Sequence, residues 1–131
     1  VGMAKALELS YEHLNEERKA ITELRDYCKA KLEENFPGIK INGNGSTFYN
    51  VLNILLPFTP EKAAMILFSL DMKGIAVSRG SACQSGSQKP SHVLAEFLNE
   101  EDIKKPSLRV SFGHENTKEE IDFLIDVLKE V

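Results

Sequence analysis

Leu7, Leu14, Ile21 and Cys28 recur at every seventh position, Leu24 and Leu32 complete the stripe, and Glu, Lys and Arg fill the face between. That spacing predicts one long amphipathic helix over residues 3–35, apolar on one side and solvated on the other. Cys28 lies on the apolar stripe and reads as a buried structural thiol. Pro37-Gly38 stops the helix. No Ser, Thr, Asp or Asn caps its start, because Val1-Gly-Met-Ala runs straight into the helical pattern. The chain therefore reads as one cut from something longer.

Beyond the helix the period shortens. Residues 39–42 form a short strand candidate, 43–46 a turn, and 50–56 a mostly apolar strand ended by Pro57. A helix from about Pro60 carries Ala63, Ala64, Ile66, Leu67 and Leu70, and Gly74 ends it. Residues 75–78 make another short strand, and 79–89 a loop. Pro90 suits the first turn of a helix near 91–98. Leu108, Val110 and Phe112 alternate with polar residues, the pattern of a half-buried strand. Thr117 and Glu120 spell a capping box for a last helix whose Ile121, Leu124, Ile125 and Leu128 face inward. Helices interleaved with short strands predict an α/β fold, here a two-layer α+β sandwich in one domain, 1–131. Its sheet is expected to be small, mixed and mostly antiparallel, with helices on one face.

Composition narrows the function classes. The 131-residue chain carries a net charge of −4, which argues against a general nucleic-acid binder. No apolar run approaches the roughly 20 residues of a membrane span, and no signal-peptide pattern opens the chain. Two cysteines are too few for a disulfide framework. A cytoplasmic location is the default expectation. His13, His92 and His114 have no metal-ligand spacing with a cysteine, so no metal site is expected.

One segment stands apart. In Ser78-Arg-Gly-Ser-Ala-Cys-Gln-Ser-Gly-Ser87 the thiol of Cys83 is flanked by Gly80 and Gly86 and by small hydroxyl residues. Nothing adjacent is bulky enough to bury the sulfur, whereas a structural cysteine normally hides in a core. From Met72 to Ala95 there is no Asp or Glu, although the overall acidic content would put about 4 there, and Lys73, Arg79, Lys89 and His92 fall in that window. Nearby cations raise a thiolate fraction that is otherwise a few per cent at neutral pH. From these residues alone, a reactive thiol and a Ser/Gly loop that happens to hold a cysteine are evenly matched. Arg109, judged alone, reads as a strand arginine in a surface ion pair.

The segment from Gly74 through Cys83 to Ser87, followed by Pro90-Ser-His-Val-Leu94, resembles the active-cysteine region of cysteine desulfurases, pyridoxal-phosphate enzymes of the class V aminotransferase family. Ser107-Leu-Arg-Val-Ser-Phe-Gly113, with Asn116-Thr117 and Glu119-Glu-Ile-Asp122, is similar to the family's carboxy-terminal signature. Val1-Gly-Met-Ala and Asn50-Val-Leu-Asn53 resemble the start and the first sheet strand of the family's small domain. Arg79 and Gln84 depart from the residues usual in the iron–sulfur-assembly branch.

The resemblance implies that Cys83 is the nucleophile, taking sulfur from L-cysteine as a persulfide and leaving alanine. It implies that Arg109 grips the substrate carboxylate through a bidentate pair. It also implies a sulfur-acceptor or scaffold protein as partner, and a homodimer when the protein is complete. The family's cofactor lysine follows a histidine in a large domain, and no His-Lys pair occurs here. The chain is therefore expected to be the carboxy-terminal small domain, inactive alone and without its own cofactor-binding residues. The alternatives are a cofactor-free sulfur-carrier or redox module, and an anion-binding interaction domain.

Overall fold

A computed structural model describes residues 1–43, 47–79, 92–96 and 98–131. Helix α1, Gly2–Asn35, leads into strand β1, Lys40–Ile41, and strand β2, Val51–Leu55. Helix α2, Pro60–Met72, and a single helical turn α3, His92–Ala95, follow. A 3-10 turn at Asp102–Lys104 precedes strand β3, Ser107–Ser111, and helix α4, Lys118–Glu130, closes the order. None of these helices is long and apolar enough to cross a membrane.

The strands lie in the order β1-β2-β3, and both pairings are antiparallel, so the mixed character expected of the sheet is absent among the described residues. Alternation divides the two faces. Leu52 and Ile54 of β2 and Leu108 and Val110 of β3 are buried on one face, with Leu56 and Phe112 just beyond the strand ends. Ile21, Cys28 and Leu32 of α1, Ile66 and Leu70 of α2, and Ile121, Leu124, Ile125 and Leu128 of α4 join the same core. The helices thus form one layer and the sheet the other. The expected α+β sandwich is present.

Only the second half of α1 belongs to that core. At about 1.5 Å per residue its 34 residues run about 51 Å, longer than a small sheet can cover. Leu7 and Leu14, expected on the buried stripe, are exposed, whereas Ile21, Cys28 and Leu32 are buried. The heptad pattern continues past the surface that could cover it. As the missing cap signal suggested, no side-chain hydrogen bond closes the amino end. At the other end the Phe36 ring packs edge-on against Phe58, and Pro37 and Gly38 (φ +88°) turn the chain toward β1.

Two helix ends follow their sequence signals closely. At the end of α2, Gly74 adopts φ +78°. Its N–H donates to Asp71 O and that of Ile75 to Leu70 O, the paired bonds of a Schellman cap. At the start of α4, Thr117 Oγ1 accepts from the Glu120 N–H while Glu120 Oε2 accepts from the Thr117 N–H. That capping box holds the Glu120 carboxyl below its usual range, first through the Asn116 amide and then through the Thr117 N–H. The strand expected over 75–78 is reduced to one bridge at Ser78. Of the helix expected near 91–98, His92–Ala95 is helical, and residues 91 and 97 lie outside the described residues.

Candidate active site

The sheet face turned away from the helices carries the polar chemistry. Asn53 of β2 stands opposite Arg109 of β3, with Val51 opposite Ser111 and Leu55 opposite Ser107. Because Leu52, Ile54, Leu108 and Val110 point into the core, their neighbours in sequence, Asn53, Ser107 and Arg109, point to the other face.

A ladder of side-chain hydrogen bonds crosses this face. Asn42, next after β1, donates from its backbone N–H to Asn53 O at 2.8 Å. Its Nδ2 donates to Asn53 Oδ1, also at 2.8 Å, and Ser107 Oγ donates to the same oxygen at 3.0 Å. Asn42 and Ser107 are buried, and Asn53 and Arg109 are half-buried. Three polar side chains in a sheet this small would be costly unless paired, and these pair with one another.

The outer edge of β3 ties Arg109 to the start of the expected reactive loop. The Arg109 N–H donates to Ser78 O at 2.7 Å, and the Ser78 N–H returns a bond to Arg109 O at 3.2 Å. Of the loop at 79–89, Arg79 is described; Cys83 lies outside the described residues. Covalent geometry still bounds its distance from Ser78. Four residues lie between Ser78 and Cys83, so the chain between them spans at most about 18 Å.

At the β1 end of the same face, Lys40 stands opposite Leu55 and donates to Asp102. Lys105 Nζ donates to the other Asp102 oxygen at 2.6 Å, and Asn99 Nδ2 to the first at 3.3 Å. Asp102 is buried, and the two ammonium donors, Lys105 first and then Lys40, hold its carboxyl below the usual carboxylate range. Cys28 is the chemical opposite of a reactive thiol. It is fully buried, and desolvation pushes it up to about 12.

The class-V aminotransferase sequence model matches residues 1–124. The chain belongs to that family. It is 37% identical to cysteine desulfurase IscS of Dictyoglomus turgidum across all of this chain and 33% of that protein. It is 32% identical to the probable mitochondrial cysteine desulfurase of Dictyostelium discoideum, over 98% of this chain and 28% of that one. The solved NifS-like protein of Rickettsia africae superimposes with a TM-score of 0.74 at 27% identity, covering 93% of this chain and 31% of the other. The chain thus spans about a third of the length of the curated relatives it matches.

Among the described residues, the polar face does not fit pyridoxal phosphate, the cofactor of the cysteine desulfurase class. Lys40 and Lys105, at the end of the polar face, are both engaged by Asp102. His13, His92 and His114 are followed by Leu, Val and Glu rather than by lysine. Sequence reasoning singled out Arg109 but missed Asn42, Asn53 and Ser107 as its neighbours. The signal was an asparagine at the alternate position of the apolar run Val51-Leu-Asn-Ile-Leu55, where a valine or leucine would be ordinary.

Proposed function

We propose that the complete protein is a cysteine desulfurase and that this chain is its carboxy-terminal small domain, contributing the nucleophile Cys83 and the carboxylate-binding Arg109. The Cys83 thiolate attacks the sulfur of L-cysteine. A sulfur–sulfur bond forms, the carbon–sulfur bond breaks, and the electron pair stays with the carbon fragment, which takes a proton and leaves as alanine. The persulfide then passes to an acceptor protein. The remainder of the protein holds pyridoxal phosphate, and the assembly is a cytoplasmic homodimer.

The observation that carries this reading is the bridge between Ser78 and Arg109. It fastens one end of the cysteine-bearing segment to the strand that bears the arginine, so a substrate held by its carboxylate lies within the covalent reach of Cys83. The names of the relatives support the same chemistry.

The test uses the complete protein with L-cysteine, quantifying alanine and locating the persulfide by mass spectrometry. The persulfide is expected on Cys83, and Cys83→Ser keeps the cofactor bound while abolishing it. Arg109→Ala raises KM for cysteine and lowers kcat/KM roughly ten- to a hundredfold, the loss of a charge-assisted pair. Wild-type alanine release by the serine variant would sink the assignment of Cys83. Unchanged kinetics in Arg109→Ala would return that residue to a structural role.

A further inference from the structure

Asn53 and Arg109 are paired in a particular way. The Asn53 carbonyl faces β1, where it takes the Asn42 N–H, and the Arg109 N–H and carbonyl face outward to Ser78. The two residues therefore form a non-hydrogen-bonded pair, the closer of the two antiparallel arrangements, with Cα atoms about 4.5 Å apart. Their side chains rise together from the face turned away from the helices. Asn53 Oδ1 accepts two hydrogen bonds, from Asn42 Nδ2 and Ser107 Oγ, which fixes the plane of the amide. Its Nδ2, on the other branch of that plane, donates to no side chain or carbonyl among the described residues, although the residue is half-buried.

A pinned amide NH2 directly across the ladder from an arginine brings a donor and a positive charge to the same stretch of the face. The ligand that complements such a pair is an anion with two acceptor oxygens. We propose that Asn53 is a second contact of the substrate carboxylate: its Nδ2 and the Arg109 guanidinium receive one carboxylate together, and Asn42 and Ser107 hold the amide in the donating orientation. The proposal rests on the reading of Arg109 as the carboxylate grip. It adds a reason for selectivity, because a site built to donate to a carboxylate disfavours analogues that lack one.

The test is calorimetric binding to the complete protein of β-mercaptopropionate, which has the thiol and carboxylate of cysteine but no amine, against its neutral methyl ester. The wild type is expected to prefer the acid, and Arg109→Ala to lose that preference. Asn53→Ala weakens the acid about tenfold, as befits one hydrogen bond to a charged group, and leaves the ester unchanged. Asn53→Asp keeps an acceptor for Asn42 and Ser107 but puts a negative oxygen where the donor stood. It weakens the acid more than alanine does. A purely structural Asn53 gives the reverse order, with aspartate the milder change, and that result overturns the proposal. So does wild-type acid affinity in Asn53→Ala. If Asn53→Ala does not fold, the aspartate variant decides by itself: an acid preference equal to the wild type's overturns the proposal. A wild type with no preference for the acid overturns the reading of Arg109 instead.

Discussion

The two cysteines should differ in reactivity by orders of magnitude, and the fold dictates how. Cys28 is fully buried between α1 and the sheet, with its pKa pushed up to about 12. Two routes lead a thiol reagent to it. In the folded state, at about pH 8, the thiolate fraction is on the order of 10⁻⁴, against roughly a quarter for an ordinary thiol. The greater intrinsic nucleophilicity of a high-pKa thiolate returns part of that loss, about fortyfold on a Brønsted slope of about 0.45, but the reagent has no path to the sulfur. In the open state the pKa is normal and access is free, so the rate falls only by the opening equilibrium. For a core residue that opening approaches global unfolding, about 5 kcal/mol or more, a factor on the order of 10³–10⁴. The two routes are alternatives, so the faster one, opening, sets the rate. Ellman's reagent should then show one fast thiol and one slower by about 10³ or more. Cys83→Ser should remove the fast phase, and denaturant should make Cys28 fast. Labelling of Cys28 within about tenfold of Cys83 in the folded protein would refute the argument, as would a fast phase that survives Cys83→Ser.

Three further outcomes test the scaffold. Leu128→Ala opens a cavity in the α4 layer and should cost about 2–5 kcal/mol in urea unfolding; a change below about 1 kcal/mol would mean that α4 does not close the core. Thr117→Ala removes the capping box and should cost about 1 kcal/mol, whereas Thr117→Ser should retain most of it. Asp102 titrates lower folded than unfolded, first through the Lys105 hydrogen bond and then through Lys40. Its contribution is therefore present above the unfolded carboxylate pKa and lost as pH falls through the lowered folded value. Asp102→Asn should flatten that part of the acid unfolding curve, and an unchanged curve would leave the two lysines without influence on stability.

Much of the fold was legible because its signals are local. The capping box at Thr117, the glycine ending α2 and the alternation in β3 are each satisfied within one or two turns of the chain, and each appears where expected. The stripe of α1 misled for the complementary reason. Its spacing specifies which face is apolar, but whether that face is covered depends on what lies beside it, and Leu7 and Leu14 remain exposed. The short strand at 75–78 failed similarly, since a strand at the edge needs a partner along its length and Ser78 alone finds one, at Arg109.

The sequence by itself determined the element types, the core residues of α4 and β3, the family, and the two residues proposed to carry its chemistry, Cys83 and Arg109. Each of these is written in a contiguous stretch, as a period, a cap or a motif. Tertiary structure alone decided the company those residues keep. Asn42, Asn53, Ser78 and Ser107 are scattered along the chain, and nothing local relates them. Antiparallel register brings Asn53 opposite Arg109, and the β3 edge brings Ser78 to the same residue. Register is a long-range choice, set by burying Leu52, Ile54, Leu108 and Val110 on one face. Once that face is buried, the period of two leaves the amides and the arginine together on the other.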